Sequence, residues 1–472
     1  MKRIVLLLFS FFIVFSSPVL AISDPREKPN NTFGIGILSP EADLNDAAKL
    51  VNTNGDWGWV VIVINKNERD VGRWQPVLNN LNKNHLIPIV RIATSVDSNG
   101  FWQKPEENDA NDWVDFLTKL YFPTKNRYVQ IYNEVNSAKE WGGNADPKEY
   151  ARELSKTADA LHSKSDDFFI LESPMDLALK TGNGSQDAGL YYKNMDAAIP
   201  GVFLKLDGWA SHSYPNPDFA ASPLKSGRTG IDGYRWELAQ VSGFLKNKKL
   251  PVFITETGWK RSIDGMIDDK KISDYYKIAF SSVWNDKDIV AICPFILSYP
   301  DNQFYQFSFK KEGAKTDEKY FDYYFTILNL EKIKGQPERT NSYSDVDVTI
   351  PDLLISNTST EAEVKMKNTG NYIWKTNDDL KLETRGENLT IEKATWSEGQ
   401  VYPGEEAVAV FKVQPRAEGK FPLSIKMFYK DHAIADKSLP VNSVSYFSFL
   451  LGTIKKISLG SIFYSSAKLM SL

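Results

Sequence analysis

The sequence of 472 residues is poor in the residues on which several protein classes depend. It has a single cysteine, Cys293, which excludes an intramolecular disulfide and a metal site built from several cysteines. Lysine and arginine number 56 against 60 aspartates and glutamates, so no excess of basic charge indicates a nucleic-acid partner. There are four histidines and none has HExxH spacing, which argues against a catalytic zinc site.

The overall composition is that of a folded protein with two or three domains. Hydrophobic residues make up 42% of the chain and charged residues 25%, which are ordinary globular values. These fractions exclude a mostly disordered chain, a coiled coil and a membrane protein with many spans. Aromatic residues reach 13%, with twelve tryptophans, so we expect aromatic side chains to matter in the core or in a binding site.

The N-terminus has the pattern of a secretory signal peptide. Two basic residues precede an apolar run from Ile4 to Phe15, and Val19-x-Ala21 offers residues that a signal peptidase accepts. This run is shorter than the roughly 18–20 residues of a membrane span. We therefore predict a cleaved signal over residues 1–21, with an uncleaved anchor as the alternative. Export of a chain with one cysteine indicates a bacterial extracytoplasmic protein, secreted or held at the cell surface.

Residues 32–330 alternate short apolar runs with longer segments of helical spacing. The runs are almost continuously apolar, which suits parallel strands covered on both faces. Asp146-Pro-Lys-Glu149 predicts a helix start, because it offers an N-cap, a proline at the first helical position and a following glutamate. The predicted strands are Thr32–Leu38, Trp59–Ile64, Leu86–Ile92, Tyr128–Tyr132, Phe168–Leu171, Gly208–Ser211, Pro251–Thr255 and Ile289–Ile296.

Eight such units in about 300 residues predict an α/β fold of the (β/α)₈ or TIM-barrel type. An open, doubly wound sheet is the alternative. No GxGxxG motif follows the first predicted strand, which weakens that alternative.

The C-terminal part of the chain has a different pattern. A polar stretch over residues 331–345 reads as a linker, and residues 346–442 form short alternating runs separated by turn residues, as in an all-β sandwich. The segment VKMKNTGNYIW, ending at Trp374, resembles a stretch of an Ig-like domain family, so we predict an Ig-like sandwich. Residues 443–472 contain three lysines and no acid, which leaves open a surface-lying amphipathic segment, an extra strand or a loosely ordered tail.

Two of the predicted strands lead into glutamates at the same edge of the expected barrel. The fourth runs into Asn133-Glu134 and the seventh into Glu256. The C-terminal ends of barrel strands form one face, so both carboxyl groups should meet in one cleft. Glycoside hydrolysis requires two carboxyl groups across a sugar, one as acid and the other as nucleophile or base. Glu172 and Asp207 also lie near strand ends, and either would be the partner if the strand count were off by one.

Asn-Glu after the fourth strand, with Glu at the end of the seventh, resembles clan A, a large group of retaining (β/α)₈ glycoside hydrolases. The resemblance implies that Glu134 is the acid/base and Glu256 the nucleophile. It implies that Asn133 donates a hydrogen bond to the 2-hydroxyl of the sugar. The same roles make physical sense, because a second carboxylate nearby raises the pKa of the group that must act as acid.

Two further elements extend this resemblance. The segment WASHSYP contains His212 and Tyr214 and is similar to the clan's His-x-Tyr element, whose tyrosine hydrogen-bonds the nucleophile. Arg91, near the end of the third strand, would be the cation that keeps the nucleophile ionised, with a purely structural ion pair as the alternative.

Aromatic residues near the expected cleft are candidates for sugar contacts, because flat rings pack against the apolar faces of pyranoses. We predict such contacts for Trp141 and Trp259. Many clan members carry tryptophan at the end of strand eight, whereas this sequence has Phe295 there. Either Phe295 or Tyr299 substitutes for it, or that subsite is altered.

These observations predict a secreted retaining glycoside hydrolase that cleaves O-glycosidic bonds, expected to be β-linked, in a poly- or oligosaccharide. The alternatives are a non-catalytic glycan-binding surface protein on the same scaffold and a transglycosidase. We expect a carbohydrate partner, no nucleic acid, no metal or organic cofactor and a monomer. The C-terminal region is a candidate for attachment to the cell or membrane surface.

Overall fold

The structure is a computed structural model that describes residues 22–262, 265–300, 303–314 and 316–451. The predicted signal peptide and residues 452–472 of the predicted tail lie outside the described residues. The first eight strands are β1 Gly34–Ile37, β2 Gly58–Asn65, β3 Leu86–Ala93, β4 Arg127–Ile131, β5 Phe168–Leu171, β6 Trp209–His212, β7 Val252–Thr257 and β8 Ile289–Pro294. The helices between and after them are α1 Pro40–Asn52, α2 Val71–Lys83, α3 Asp109–Leu117, α4 Pro147–Lys164, α5 Ala188–Ala198, α6 Gly233–Val241, α7 Asp269–Ile278 and α8 Asp322–Asn329.

The eight strands close into a barrel. Strands β1 to β5 pair in sequence order as parallel neighbours, and β6 to β8 do the same. Two parallel bridges close the ring of strands. One joins Leu171 of β5 to Gly208, just before β6, and the other joins Phe33, just before β1, to Ile292 of β8. The predicted (β/α)₈ barrel is confirmed, and the open doubly wound sheet is excluded.

Helix α4 shows how local sequence sets the helical layer. The Asp146 side chain accepts hydrogen bonds from the backbone N–H groups of Lys148 and Glu149, both at 3.0 Å, and proline occupies the first turn. These contacts satisfy N–H groups that have no partner within a helix. The buried residues of α4 recur at helical spacing and face the strands: Tyr150, Ala151, Leu154, Thr157, Ala158 and Leu161.

The start of helix α7 is also set by a side-chain cap. Helix α7 starts at Asp269, because the Asp268 side chain accepts a hydrogen bond from the backbone N–H of Lys271 at 2.8 Å. It ends at Ile278 and continues as a π-helical turn over Ala279–Val283.

The C-terminal part is all β, as predicted. The elements are β9 Asp347–Thr349, β10 Leu353–Ile355, β11 Thr360–Lys367, β12 Trp374–Lys375, a helical turn Thr376–Asp379, β13 Leu380–Gly386, β14 Leu389–Ile391, β15 Thr395–Trp396, β16 Gln400–Val401, β17 Glu406–Pro415, β18 Gly419–Tyr429 and β19 His432–Val444. One sheet has the order β10-β19-β18-β13, another has the order β14-β17-β11-β9 with β15 also paired to β17, and β12 pairs with β16. Buried side chains of these sheets, together with Trp374 of β12, form a separate apolar core.

The segment predicted as a linker packs against both parts of the molecule. The Arg339 guanidinium donates to Asn82 Oδ1 at 2.9 Å and stacks over the rings of Trp57 and Tyr372, 4.8 and 4.2 Å from the centroids. Asn371 of the β region donates to the Phe122 carbonyl at 2.9 Å. Trp57 and Phe122 precede β2 and β4, so these contacts lie at the N-terminal end of the barrel and leave the opposite end uncovered by them.

Among the described residues, no helix combines the length and the apolar character that crossing a membrane requires.

Candidate active site

Six of the eight side chains predicted for the site meet at the C-terminal end of the barrel strands. The strands bring them there from distant parts of the sequence. Arg91 belongs to β3, Asn133 and Glu134 follow β4, His212 ends β6, Tyr214 follows it, and Glu256 belongs to β7.

Glu256 is held at both carboxyl oxygens. Arg91 Nη1 donates to Glu256 Oε1 at 2.9 Å, and the Tyr214 hydroxyl donates to Oε2 at 3.1 Å. Burial raises the pKa of the Tyr214 phenol well above its usual range, and the charge of Glu256 raises it further, so Tyr214 remains a donor. A guanidinium and a phenol directed at a partly buried carboxylate stabilise its negative charge.

Glu134 lies in a different environment. Its Oε1 is 2.7 Å from Nδ1 of the fully buried His212. Burial raises the pKa of Glu134, and the opposing effect of His212 does not cancel it. A carboxyl group with a raised pKa retains its proton over a wider pH range, which suits a proton donor.

His212 is the buried link between the two carboxyl groups. Its Nδ1 is 3.7 Å from Glu256 Oε2 as well as 2.7 Å from Glu134 Oε1. Burial lowers the pKa of His212, but the charges of Glu256 and Glu134 outweigh that effect and the pKa is raised overall. His212 thus shares a hydrogen bond with Glu134 and, in its charged form, brings a positive charge close to both carboxyl groups.

The backbone leading to Glu134 is bent sharply out of the strand direction. Tyr132 and Glu134 have positive φ values of 66° and 38°, a region that non-glycine residues rarely occupy. The bend is held by hydrogen bonds from Glu134 N to the Pro174 carbonyl at 3.0 Å and from Ser137 N to the Glu134 carbonyl at 2.7 Å. Such strained positions persist where surrounding contacts over-determine them, and they are concentrated at functional sites.

The two glutamates and His212 also have a spacing that could hold a cation. One ligand atom from each of Glu134, His212 and Glu256 lies within 4.8 Å of the others. Two carboxylates and an imidazole are suitable donors for a divalent metal. In this structure the carboxylates already contact Arg91 and His212, so the site needs no additional cation to hold the pair together.

A third carboxyl group, Glu140, lies beside the site and was missed by sequence reasoning. Asn133 Oδ1 accepts from Arg91 Nη1 at 2.8 Å, and Asn133 and Glu140 line the same cavity. Burial and then the charge of Glu134 raise the pKa of Glu140 to about 8, against the opposing effects of Arg91 and Asn133. Glu140 ends a 3₁₀ turn in the loop after β4. The sequence signal was weak: an acidic residue six positions beyond Glu134.

A small, partly open cavity lies beside this third carboxyl group. Its lining combines aromatic, amide and charged residues: Arg91, Ile92, Ala93, Thr94, Trp102, Tyr132, Asn133 and Glu140.

The structure corrects the predictions for Trp141 and Trp259. Trp141 is 1% exposed and packs edge-on against Tyr132 and Tyr150. Trp259 is 2% exposed and packs against Tyr276 and other aromatic rings. Their indole N–H groups donate to Glu149 Oε2 and the Ala221 carbonyl, at 2.9 and 2.8 Å. Both loops fold back onto the helices, so neither ring is accessible to a sugar.

The end of β8 contributes phenylalanine. Phe295 is half-buried, and its ring lies 5.9 Å from Phe307, which in turn lies 6.2 Å from Tyr214. Tyr299 is 6.3 Å from Phe295. Both aromatic candidates named from the sequence therefore belong to one cluster that reaches the site through Tyr214.

The alternative carboxyl groups are engaged elsewhere. Glu172 is fully buried and its Oε1 accepts from the Ala210 backbone N–H at 3.0 Å. Asp207 precedes β6, at the opposite end of the barrel, and bonds His162 at 2.8 Å and the Ile170 N–H at 2.9 Å. The strand count that pairs Glu134 with Glu256 therefore holds.

No protein-family model matches the sequence, and the search of curated proteins found no match either. Among solved structures, the chain is similar to a family 39 glycoside hydrolase from Bacteroides cellulosilyticus WH2, with 14% identity, a TM-score of 0.43, and coverage of 83% of this chain and 82% of that one. It is similar to a β-mannanase from Thermomonospora fusca, with 15% identity, 62% and 86% coverage and a TM-score of 0.38. A third is endo-glycoceramidase II from a Rhodococcus species, with 11% identity, 84% and 100% coverage and a TM-score of 0.42.

All three similar structures are clan A glycoside hydrolases. At these identities they assign no activity to this chain.

Proposed function

We propose that this protein is a retaining glycoside hydrolase that acts on β-linked sugars. The observation that carries the proposal is the unequal pair of carboxyl groups in one cleft. Glu256 accepts from Arg91 and Tyr214, whereas Glu134 is partly buried beside His212 with a raised pKa. One carboxyl group that accepts from a guanidinium and a phenol, beside a second whose pKa is raised, has the arrangement of a nucleophile and an acid.

In the first step, the Glu256 carboxylate attacks the anomeric carbon and the glycosidic C–O bond breaks. Glu134 gives its proton to the leaving oxygen, so the alcohol departs neutral. The product is a glycosyl ester on Glu256, which no longer carries a negative charge. The pKa of Glu134 then falls, because a nearby like charge has disappeared.

In the second step, ionised Glu134 removes a proton from water. The resulting hydroxide oxygen attacks the anomeric carbon, the ester bond to Glu256 breaks, and the sugar leaves with its configuration retained. Glu134 is protonated again and Glu256 is again a carboxylate, so the catalyst is unchanged.

The short separation of the carboxyl groups supports retention over inversion. An oxygen of Glu134 and one of Glu256 lie within 4.8 Å. Retaining enzymes place the two groups roughly 5–5.5 Å apart, whereas inverting enzymes need roughly 6.5–9.5 Å to admit a water.

Arg91 and Tyr214 have complementary roles in this scheme. Arg91 stabilises the negative charge on Glu256 before the attack. Tyr214 holds the other carboxyl oxygen of Glu256, which fixes the orientation of the group toward the anomeric carbon. In the proposed scheme Asn133, whose Oδ1 accepts from Arg91, donates a hydrogen bond to the sugar 2-hydroxyl.

The test uses 2,4-dinitrophenyl β-glycosides of several sugars with wild type, Glu134→Ala and Glu256→Ala. This leaving group needs little acid assistance, so Glu134→Ala should release phenol in a burst and then stall, and azide should restore turnover by attacking the glycosyl ester. Glu256→Ala should release nothing. Equal loss in both variants, without azide rescue, would contradict these roles.

Two alternatives are separated by further measurements. Binding on a glycan array without hydrolysis of the bound glycan would favour a surface lectin. Transfer of the sugar to an added acceptor in preference to water would favour a transglycosidase.

We further propose that the protein acts outside the cytoplasm and that its β region is an Ig-like spacer whose end contacts a membrane surface. Residues 446–451 are helical and expose several large apolar side chains, with Tyr446 and Phe447 at 63% and 71% exposure. Three lysines and no acid lie in residues 443–472. Apolar and basic character together favour an anionic lipid surface.

Sedimentation with vesicles tests this contact. The full chain should sediment with vesicles of phosphatidylcholine and phosphatidylglycerol more than with phosphatidylcholine alone, and Phe447→Ser should weaken binding. Equal sedimentation of Phe447→Ser and wild type would overturn the proposal.

A further inference from the structure

Glu237 is a buried carboxyl group on helix α6, outside the ring of strands, to which the scheme above gives no task. Its side chain is fully buried. The Ser211 hydroxyl donates to Oε2 of Glu237, and the Tyr192 hydroxyl of α5 donates to Oε1 at 2.6 Å. An apolar side chain would fill the same buried position at a lower cost, which indicates that the carboxyl group serves its hydrogen-bond partners.

The contacts of α6 hold both neighbours of His212. The hydroxyl oxygens of Ser211 and Ser213 are 2.8 Å apart. Because Ser211 gives its only hydroxyl hydrogen to Glu237, Ser213 is the donor to Ser211. Ser213 Oγ in turn accepts from the backbone N–H of Tyr234 at 2.9 Å. One turn of α6 therefore holds this segment at two points, through Glu237 and through the backbone of Tyr234.

The two serines and His212 face opposite sides of the strand. Successive side chains along a strand alternate in direction, so the serine hydroxyls point toward α6 while the imidazole of His212 points into the cleft. The contacts agree, since His212 Nδ1 lies 2.7 Å from Glu134 Oε1. A helix outside the barrel thereby reaches the cleft through the backbone of one strand.

The strand is irregular at the same point. Ser211 of β6 pairs with Ile254 of β7, whereas the next residue, His212, pairs with Glu256, so the register shifts between them. This shift places His212 opposite the proposed nucleophile. Irregularities of this kind re-aim side chains beside active sites. The contacts of Glu237 begin at the serine where this one begins.

The acid/base group depends on His212 more than the nucleophile does. Within the part of the chain that the structure describes, His212 is the one side chain that hydrogen-bonds the Glu134 carboxyl group. Glu256 has Arg91 of β3, which has no contact with α6 in this arrangement. A small displacement of His212 should therefore change Glu134 more than Glu256.

We propose that Glu237 is a positioning residue that holds Ser211 and Ser213 and so keeps His212 against Glu134. This inference rests on the proposed hydrolase function. Glu237 touches neither the substrate nor Glu134. The loss of its contacts should impair the transfer of a proton to the leaving group, and the impairment should be greatest where the leaving group most needs that proton.

The experiment compares two aryl β-glycosides of the sugar that wild type hydrolyses fastest, one with 2,4-dinitrophenol and one with phenol as the leaving group. The measured quantity is kcat/KM, which covers the steps up to the departure of the phenol and leaves out hydrolysis of the glycosyl ester. Glu237→Ala and Ser211→Ala should lower kcat/KM by about 10- to 100-fold on the phenyl glycoside and by less than about threefold on the dinitrophenyl glycoside, because only the first needs strong acid assistance.

Two further variants control for packing. Glu237→Gln keeps the shape of the side chain and one acceptor oxygen, so it should lose less on the phenyl glycoside than Glu237→Ala. Ser273→Ala makes the same truncation as Ser211→Ala at a buried serine of α7 whose hydroxyl has no hydrogen-bond partner among the described residues, and it should leave both substrates unaffected.

The outcomes separate this inference from the proposed function. An equal loss on both substrates in Ser211→Ala would overturn the positioning role, because a fall in the amount of folded protein acts on both alike. Wild-type activity of Ser211→Ala on both substrates would overturn it too, and this mild variant decides the matter if Glu237→Ala does not fold. Failure of wild type to hydrolyse any glycoside in the panel would instead overturn the proposed function, and this inference with it.

Discussion

The N-terminal and C-terminal ends of the eight barrel strands differ in the side chains that they direct into the barrel. At the N-terminal end the interior is filled by the rings of Trp59, Tyr128, Phe169 and Phe253, whose neighbouring centroids lie between 4.8 and 5.6 Å apart. At the C-terminal end the side chains are charged or polar, and several are buried. Along β3, the inward-facing side chains change from apolar to charged over three positions: Ile87 and Ile89 are apolar, and Arg91 is charged.

This difference separates stability from chemistry along one strand. Burial of apolar rings away from water stabilises the fold, whereas carboxyl groups held close together in a partly buried cleft oppose it. In β7 a buried ring that stabilises the fold and a carboxyl group that serves the chemistry are only three residues apart, at Phe253 and Glu256. Substitutions at these positions should therefore have opposite consequences, and that contrast can be measured.

The largest effect is expected at the charged end. Glu256→Gln keeps the shape of the side chain but removes the proposed nucleophile, so we expect turnover of aryl glycosides to fall by about 10⁴-fold or more. The melting temperature should change by only a few degrees, because the fold does not depend on this charge. Glu107→Gln, at an exposed position, is the matched control and should leave turnover unchanged. Substantial residual turnover in Glu256→Gln would remove Glu256 from the mechanism.

The apolar end should show the reverse. Phe253→Ala removes a fully buried ring from the barrel interior and should lower the free energy of unfolding by about 3–5 kcal/mol, measured with urea. Phe447→Ala, the same truncation at 71% exposure, should change it by no more than about 0.5 kcal/mol. The protein that remains folded in Phe253→Ala should keep its turnover. Loss of turnover without loss of stability would mean that the two ends are coupled.

Much of this contrast could be predicted from the sequence. The strand cores, the cap of α4 and the placement of Glu134 and Glu256 at one end follow from local patterns of apolar, turn and charged residues. The environment of each glutamate does not follow from local patterns: the resemblance to clan A implied that Arg91 and Tyr214 contact Glu256, and no sequence feature predicted that His212 contacts Glu134. The contact of Glu134 with His212 joins residues 78 positions apart, and that of Arg91 with Glu256 joins residues 165 positions apart.

The charged end should also make the stability of the protein depend on pH, which the apolar end should not. Burial raises the pKa of Glu140 to about 8 from a usual value near 4.5, so the folded chain retains a proton that the unfolded chain releases. The contribution of Glu140 to the free energy of unfolding has its full value below the usual pKa of a glutamate, and it is lost as the pH rises toward 8. Glu140→Gln remains neutral, so its melting temperature relative to wild type should rise from pH 5 to pH 9. A difference independent of pH would contradict the buried, protonated state of Glu140, and Glu107→Gln provides the baseline.

The smallest effect concerns the helical layer outside both ends. Asp146→Ala removes the acceptor for two backbone N–H groups at the start of α4 and should lower the free energy of unfolding by about 1 kcal/mol. Asp146→Asn retains an acceptor and should cost much less. Turnover should be unchanged in both variants, and a change in turnover would mean that α4 helps to position the site.

By itself, the sequence determined the features that depend on neighbours along the chain. Alternation and apolar runs predict which residues enter the barrel, and the polar residues that follow those runs mark the end where chemistry is placed. The tertiary structure decided which side chains face the cleft. Trp141 and Trp259 lie in loops close to the proposed catalytic residues in sequence but fold into the core, whereas Glu140, beside Trp141, lines a cavity at the cleft together with Asn133. Loop direction depends on contacts with distant segments, and no local pattern encodes them.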